Sequence, residues 1–380
     1  MKSQEPCVDE DESDSESVYC WWRAAAKFDE CARIRFDLPN VSSLTPRIRL
    51  FRELERLALI ASDGLHELRQ KLHGYRSGDF WVPTGGIKKE DMDIPPVNAL
   101  LLVGFSGSGK SSLVNLMYSV LGRSGLIPFA QTSSGNCSNQ TTMYLEEHNV
   151  LRSMRNGFCV YDSRGFNYDR PKEALDELSS WISEGVHHNQ LCFRYGDFSL
   201  MTDEMANAVR TSSNFLQRRV NCAMVVVNMA EVYKAFKAAD LKPLEATRQL
   251  FCSSALRKCN ENPMLILTHG DLLPTEERIE ARLVICECLG VSEINGVYDI
   301  VCLTEYGFLA EQSDPVSAYA LTEAVYRALL ISDRGHCPKK KLLDWVVLVL
   351  SWLMCFAGAF FAFLADICTK LGHTDHKLKR

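Results

Sequence analysis

The sequence predicts an α/β fold in which helices flank a mainly parallel β-sheet. Short apolar runs alternate with amphipathic helical patterns from about residue 98 to residue 332, and this alternation is typical of parallel strands joined by crossover helices. The first apolar run breaks into a glycine-rich turn that leads directly into a helical pattern. With 380 residues, the chain has the length for one large domain with an extension at each end.

Negative charge is concentrated at the N-terminus. The net charge of the chain is −6, and Lys2 stands among the acidic residues that account for it: Glu5, Asp9, Glu10, Asp11, Glu12, Asp14 and Glu16. Residues 1–18 hold too few apolar side chains to form a core, so we expect a disordered acidic tail. The remainder is balanced in charge, which predicts no nucleic-acid partner.

Residues 19–80 predict a helical extension. Apolar residues recur every three or four positions over 45–73, which indicates a long amphipathic helix. We expect this helix, together with Trp21 and Trp22, to pack on the side of the main domain; a helix that binds a partner is the alternative. Proline and glycine residues within 81–97 predict a linker into the first strand.

The turn after the first apolar run has the phosphate-loop pattern Gly-x-x-x-x-Gly-Lys-Ser at 104–111. Glycines let backbone N–H groups point inward at phosphate oxygens, and the next helix adds its positive N-terminal end. We expect nucleotide contacts from Gly107, Ser108, Gly109, Lys110, Ser111 and Ser112. The Lys110 ammonium would neutralise phosphate charge, and the Ser111 hydroxyl would bind Mg²⁺.

Further strands and helices complete the domain predicted over 98–332. Strands are predicted over 142–147, 158–161, 223–227, 264–267 and 298–303, and helices over 172–183, 244–258, 275–289 and 315–330. The segment 189–217 is long for a connection, so it is either an insertion with its own helix or a flap near the site.

A second motif follows the predicted strand at 158–161. Its residues, Asp162-Ser-Arg-Gly165, would place a carboxylate for Mg²⁺ beside the phosphate loop and the Gly165 N–H at a γ-phosphate. A threonine between the two motifs is expected to bind Mg²⁺ when the γ-phosphate is present: Thr141 first, then Thr142 and Thr132. Each threonine is also compatible with a β-favouring surface residue.

The predicted strand at 264–267 runs into Thr268-His-Gly-Asp271. A carboxylate just past a sheet strand can accept the N1–H and 2-amino hydrogens of guanine, whereas the corresponding ring nitrogen of adenine is itself an acceptor. We therefore expect GTP or GDP, with His269 against the base. Thr304-Glu305, with Tyr306 nearby, is expected near the guanine carbonyl. An ordinary turn in which Asp271 caps the next helix is the alternative.

With these motifs, residues 98–330 resemble the TRAFAC-class GTPases, the group that holds translation factors and septins. The Thr-x-x-Asp motif at 268–271 is similar to that of the AIG1 and chloroplast outer-envelope import-receptor GTPases, with His269 in place of the usual lysine. The spacing, including Asn228 before a helix, is similar to relatives of interferon-induced protein 44, and the whole chain resembles a plant group of P-loop proteins. The resemblance implies a P-loop GTPase fold with Mg²⁺ as cofactor.

The C-terminal region predicts a membrane anchor. Residues 345–365 contain no charged side chain, and this length is sufficient to cross a hydrocarbon core of about 30 Å. We expect a single-pass tail anchor with a stalk at 333–344, a basic tail at 366–380 and the nucleotide domain facing the cytosol. The outer membranes of plastids or mitochondria and the endoplasmic reticulum are the candidate locations. The alternative is a helix that is buried within the protein and does not enter a membrane.

Cysteine and histidine patterns indicate no further metal site. The 15 cysteines are scattered without a Cys-x-x-Cys pair, which predicts reduced thiols in a cytosolic domain. Cys286 and Cys288 lie two apart in a helical pattern and face different directions. The adjacent His187 and His188 lack a partner at a ligand spacing.

We therefore expect a tail-anchored GTP-binding protein whose nucleotide state controls assembly or the binding of an unknown protein partner. The alternatives are an ATP-dependent P-loop NTPase or kinase and a membrane scaffold that is indifferent to nucleotides. Hydrolysis is expected to be slow, because Phe166 takes the position that many GTPases give to a water-orienting glutamine. Arg164 would either supply charge to the γ-phosphate, in its own site or across a homodimer, or form a surface ion pair.

Overall fold

The computed structural model describes most of the chain. The described residues are 19–26, 28, 44–83, 86–132, 142–151, 157–192, 194, 215–259, 263–339 and 342–378. The predicted acidic tail, Thr141 and most of the 189–217 segment lie outside them. One compact unit comprises the described residues up to Val82 and Ile94–Gly335; the other comprises the described residues of Pro83–Asp93 and those from His336 onward.

In the part of the chain that the structure describes, a seven-stranded mixed sheet forms the centre of the first unit. Its strands are β1 (Asn98–Val103), β2 (Tyr144–His148), β3 (Phe158–Asp162), β4 (Gln190–Leu191), β5 (Val220–Asn228), β6 (Met264–Thr268) and β7 (Val297–Asp299). The order is β4-β2-β3-β1-β5-β6-β7. Strands β3, β1, β5, β6 and β7 are mutually parallel. Strand β2 is antiparallel to β3 and β4, because the short connection 149–157 leaves no room for a crossover helix.

Helices cover both faces of this sheet. They are α1 (Pro46–Gly74), α2 (Lys110–Val120), α3 (Pro171–Glu184), α4 (Met229–Lys237), α5 (Lys242–Phe251), α6 (Ser254–Cys259), α7 (Thr275–Leu289), α8 (Ala310–Ser313) and α9 (Pro315–Arg334). The helix predicted over 244–258 is divided into α5 and α6, because the Ser253 hydroxyl caps the N–H of Leu256. The strand predicted over 298–303 ends at Asp299, and a 3₁₀ helix follows at Leu303–Tyr306.

The core lies in two layers because alternate residues of a strand point to opposite faces. Leu100 and Leu102 of β1 pack in the layer that contains α1, α2 and α9. Leu101 and Val103 pack in the layer that contains α3, α4 and α5. The helices that follow β1 and β3 therefore lie on opposite faces of the sheet. Such a reversal next to β1 opens a crevice at the carboxyl ends of the strands, where ligands of α/β sheets bind.

The long helix α1 packs against α9 within the first unit. Gly64 permits a close approach, since a Cβ there would lie 2.7 Å from a ring carbon of Tyr319. Arg56 forms an ion pair with Glu323 of α9 at 3.0 Å. A partly exposed pair of this kind contributes about 1 kcal/mol, so burial of the apolar face is the main stabilising term. The apolar face of α1 is thus used inside the domain.

The second unit contains a long apolar helix, α10 (Leu342–Leu378). Its segment Val346–Ala365 has a mean hydropathy of 2.4 with none of it buried, and by length and composition it is a candidate membrane span. Helix α10 continues beyond the predicted boundary at 365. Ahead of it, Met92 and Pro338 form an antiparallel bridge, so part of the predicted linker pairs with the segment before the helix.

Candidate functional site

The phosphate-loop motif follows β1 in a backbone shape that requires its glycines. Gly107 and Gly109 have φ angles of +73° and +84°, in the region where a Cβ is unfavourable. A Cβ on Gly104 would lie 2.2 Å from the carbonyl oxygen of Val226, so β5 passes too close for a side chain. The Gly104 carbonyl accepts the N–H of Phe166 at 3.0 Å. Gly109 caps α2, whose positive N-terminal end therefore opens onto the loop.

The residues at the carboxyl ends of β5 and β6 also form hydrogen bonds to this loop. The Asn228 side-chain amide, at the end of β5, donates to the carbonyl of Gly107 at 3.2 Å. The Thr268 hydroxyl, at the end of β6, donates to the carbonyl of Ser108 at 2.8 Å. The motif predicted to contact the base is therefore hydrogen-bonded directly to the phosphate loop.

The Lys110 side chain is buried and folds back over the loop. Its Nζ lies 3.2 Å and 3.1 Å from the carbonyl oxygens of Gly104 and Phe105, and 3.3 Å from Ser108 Oγ. Burial lowers the pKa of Lys110 to about 8, against the opposing influence of the Asp162 carboxylate. A desolvated ammonium ion held among neutral oxygens is suited to an anionic ligand.

Ser111 and Asp162 form a compact oxygen cluster at the start of α2. The Ser111 hydroxyl donates to Asp162 Oδ2 at 2.5 Å, and Thr142 Oγ1 lies 3.4 Å from Ser111 Oγ. The second carboxylate oxygen, Asp162 Oδ1, is buried and has no hydrogen-bond partner among the described residues. Burial raises the pKa of Asp162, while the Lys110 charge opposes the shift.

These oxygens fit the ligand preferences of Mg²⁺, which takes one or two protein side chains together with substrate phosphates. An unpartnered buried polar atom costs about 1–3 kcal/mol, and a cation beside Asp162 Oδ1 would remove that cost. Ser111, Asp162 and Thr142 are the residues that would hold the ion. Thr132 instead donates to Glu305. Within the described ranges no group of three His, Cys, Asp or Glu side chains suits another metal.

The loop after β3 runs along the phosphate loop. A Cβ on Gly165 would lie 2.6 Å from Ser106 Cα, so this contact also requires glycine. Arg164 is 4% exposed, and its Nη1 donates to the carbonyl of Cys192 at 2.7 Å. Arg164 is therefore buried, whereas the alternative role would place it in a surface ion pair. In this conformation the guanidinium is also not exposed to a second copy of the chain.

A second arginine, Arg194, binds the same loop. Its Nη1 donates to the carbonyl of Gly165 at 2.5 Å, and its guanidinium pairs with Glu177 of α3 at 2.8 Å. The cation lies 5.2 Å from the centre of the Phe166 ring, and its charge contributes to the lowered pKa of Lys110. Arg194 thus brings a positive charge to the site.

An open pocket is lined by Thr268, His269 and Asp271, which are residues predicted to contact the base. Its lining consists of Ser112, Thr268, His269, Asp271, Cys302, Glu305 and Tyr306. The His269 ring lies beside the phosphate loop, since its Cε1 would be 3.2 Å from a Cβ on Gly109. The Tyr306 hydroxyl donates to Asp271 Oδ2 at 3.0 Å. Of the segment expected near the guanine carbonyl, Glu305 and Tyr306 line this pocket, whereas Thr304 does not.

Burial sets the protonation of two rings in this pocket. It lowers the pKa of His269, so the imidazole is neutral at neutral pH despite the opposing charge of Asp271. Burial and the hydrogen bond to Asp271 raise the pKa of Tyr306 to about 12. The phenol therefore remains a donor to the carboxylate, and the pocket offers a flat neutral ring beside an oriented anion.

Sequence reasoning did not assign roles to Asn228 or Arg194. Asn228 has a recognisable local signal, because its side chain caps α4 by accepting the N–H of Glu231 at 3.0 Å. Arg194 has no local signal, since its partners Gly165 and Glu177 are distant in the chain.

Solved structures of other proteins include matches to this chain. The chain is similar to a solved structure titled "Crystal structure of a probable GTP-binding protein engB", at 14% identity and a TM-score of 0.24, with 58% of this chain and 98% of that chain covered. No protein-family model matches the chain, and no curated protein matches it. Similarity at this level does not establish a shared function.

Proposed function

We propose that this chain is a guanine-nucleotide-binding protein with a P-loop GTPase fold, attached to a membrane by its C-terminal helix. The phosphate loop at 104–111 would hold the phosphates of GTP or GDP, and the pocket around Asp271 would hold the base. Bound Mg²⁺ would supply positive charge to the phosphate oxygens.

The observation that carries this proposal is the meeting of three motifs at one edge of the sheet. Lys110 is a desolvated cation, the Asp162 carboxylate has an unpartnered buried oxygen among the described residues, and Thr268 bonds to the phosphate loop. The first arrangement favours an anionic phosphate and the second a divalent cation. The third places the motif predicted to contact the base directly beside the phosphate loop. The meeting occurs at the carboxyl ends of the parallel strands, where α/β sheets bind ligands.

The residues of the chain would divide the work of binding. The loop backbone and Lys110 would neutralise phosphate charge, and Ser111, Asp162 and Thr142 would hold the ion. The Asp271 carboxylate would accept the N1–H and 2-amino hydrogens of guanine, and Tyr306 would keep that carboxylate oriented. The neutral His269 ring would lie against the base.

The candidate span Val346–Ala365 supports the membrane part of the proposal. Its exposed apolar side chains, such as Trp352 at 75% exposure, form a surface that water disfavours and a hydrocarbon core accepts. In this proposal the nucleotide domain lies on the cytosolic side of the span, where GTP is available. Nucleotide state would then control assembly or partner binding at the membrane surface.

Nucleotide competition on the full chain in detergent micelles tests this function. A fluorescent GDP analogue would be displaced by unlabelled GTP, GDP or ATP, with Mg²⁺ and with a chelator. We expect displacement by GTP and GDP at concentrations at least about tenfold below ATP, because adenine does not match Asp271, and weaker binding with the chelator.

Lys110→Ala should abolish binding, whereas Lys242→Ala, which removes an exposed lysine from α5, should not. Equal displacement by ATP and GTP would instead favour an ATP-dependent NTPase. No binding and an unchanged melting temperature with every nucleotide would favour a nucleotide-indifferent scaffold.

A further inference from the structure

A buried ion pair lies directly behind the turn that carries Asp271. Gly270, in the middle of this turn, has no room for a side chain: a Cβ would lie 2.5 Å from Arg278 Nε and 2.9 Å from Asp299 Oδ1. Arg278 and Asp299 form a two-bond pair, at 2.7 Å and 2.9 Å, with both side chains buried. The position of the turn therefore depends on where the Arg278 guanidinium lies.

The same guanidinium also lies over the ring of Trp21, near the N-terminus. Its central carbon lies 4.0 Å from the centre of the Trp21 ring, a distance at which a cation is attracted to an aromatic face. Arg278 is thus close to both Trp21 and the turn at 269–271. Through Arg278, Trp21 is connected to the proposed base-binding residues.

The 3₁₀ helix that carries Trp21, Trp21–Ala24, is itself fixed to α1. Trp22 Nε1 donates to Glu55 of α1 at 2.6 Å, and Arg23 forms two hydrogen bonds to the same carboxylate, each at 3.0 Å. The Trp22 ring is 1% exposed, and it meets Trp21 edge to face with centroids 5.8 Å apart. Trp21 therefore contacts both Trp22, which is fixed to α1, and Arg278.

We infer that Trp21 is a positioning residue for guanine recognition, acting through Arg278 on the turn at 269–271. This inference rests on the proposed nucleotide site and adds to it a control element outside the nucleotide-binding motifs. The 3₁₀ helix Trp21–Ala24 sets how firmly Asp271 is held against the base. Displacement of this 3₁₀ helix releases the base and leaves the phosphate contacts intact.

The test compares two nucleotides that differ in one group. Inosine diphosphate lacks the 2-amino group of guanine, so the ratio of its dissociation constant to that of GDP measures how well the Asp271 carboxylate is placed. Both constants would be measured on the full chain in detergent micelles with Mg²⁺. The variants are Trp21→Ala, Trp21→Phe and, as a matched control, Trp81→Ala, which shortens another half-buried tryptophan in a different turn.

We expect Trp21→Ala to weaken GDP binding about fivefold and to weaken inosine diphosphate binding less, so that the inosine-to-guanine ratio falls severalfold. Trp21→Phe keeps an aromatic face over Arg278, so its inosine-to-guanine ratio should be close to that of the wild-type chain. Trp81→Ala should leave it unchanged even if it lowers the melting temperature.

Two results would overturn the inference in different ways. If the wild-type chain binds GDP but Trp21→Ala weakens both diphosphates equally, or no more than Trp81→Ala does, the positioning role is wrong and the proposed function stands. If the folded wild-type chain binds neither diphosphate, the proposed function fails and the inference fails with it.

Discussion

Lys110 illustrates how one residue carries the chemistry of the candidate site. Its ammonium is surrounded by two backbone carbonyls and the Ser108 hydroxyl, and these partners only partly replace the water that burial removes. The Asp162 carboxylate stabilises the charged form, but desolvation is the larger influence on the pKa. The charge is therefore maintained at some cost, which an anionic ligand would offset.

The lowered pKa of Lys110, about 8, predicts a pH dependence of nucleotide binding. Above pH 8 most of the free protein has a neutral amine, whereas a bound phosphate favours the ammonium form. Binding should therefore take up a fraction of a proton, and affinity should fall as pH rises from about 7 to 9. Titration calorimetry of GDP with Mg²⁺ at pH 8.5, in two buffers of different ionisation enthalpy, measures this uptake. Near pH 7 the uptake should almost vanish; no uptake at pH 8.5 would contradict the shift.

Phe166 predicts slow hydrolysis of GTP. Its side chain is 1% exposed and stacks on Trp181, and it offers no hydrogen-bonding group to an attacking water. Single-turnover hydrolysis by the full chain should proceed on the order of 10⁻³ s⁻¹ or more slowly, as in a GTPase that lacks a supplied arginine.

The rate should not depend on protein concentration, because Arg164 is buried and bonded to the carbonyl of Cys192. Arg164→Ala serves as the comparison and should not slow hydrolysis by the orders of magnitude that a catalytic arginine supplies. A rate near 1 s⁻¹, or one that rises with protein concentration and falls in Arg164→Ala, would contradict this prediction.

At the residue scale, short motifs identify the residues proposed to contact the nucleotide, but they do not identify the more distant residues that pack against them. The proximity of Lys110, Ser111 and Asp162 could be predicted because a phosphate loop and a metal ligand require those residue types at those spacings. Arg194 could not be predicted, since its contact with Gly165 depends on how a later segment folds over the loop. Trp21 was expected to be buried, yet its contact with Arg278 joins two distant segments of the chain.

At the scale of elements, hydrophobic periodicity was a reliable guide where one pattern dominates. Helix α7 has the predicted bounds, and α1 differs by one residue at each end. The pattern gave no warning of the break between α5 and α6, because Ser253 interrupts the backbone without interrupting the apolar spacing. Strand β4 comprises only Gln190–Leu191, which is too short to produce a periodic signal.

Helix α10 gives a prediction at the same scale. Deletion of residues 345–380 should move the protein from the membrane to the soluble fraction, because the exposed apolar segment Val346–Ala365 would be lost. The melting temperature of the nucleotide domain should change little, since the two-layer core of the sheet lies in the first unit. Fractionation with a carbonate wash measures the first effect. Carbonate-resistant membrane association of the shortened chain would show that α10 is not the anchor.

At the scale of the whole molecule, sheet topology explains why distant motifs meet. The reversal of helix placement next to β1 opens one crevice, and β1, β3 and β6 all end at that edge. The alternation of strands and helices predicted the parallel part of the sheet. The alternation itself does not distinguish the antiparallel β2, because a hairpin and a crossover give the same strand pattern. The distinguishing signal is the short connection between the strands predicted over 142–147 and 158–161, which is too short for a crossover helix.

The central claim is that this edge of the sheet recognises guanine through the Asp271 carboxylate. The most direct measurement is the affinity of the full chain and of Asp271→Asn for GTP and for xanthosine triphosphate, whose 2-oxo group replaces the 2-amino donor. An asparagine amide can donate where the carboxylate accepts and can still accept the Tyr306 hydroxyl. We predict that wild type prefers GTP by at least about a hundredfold and that Asp271→Asn prefers xanthosine triphosphate. An unchanged preference for GTP in a folded Asp271→Asn chain would contradict the account.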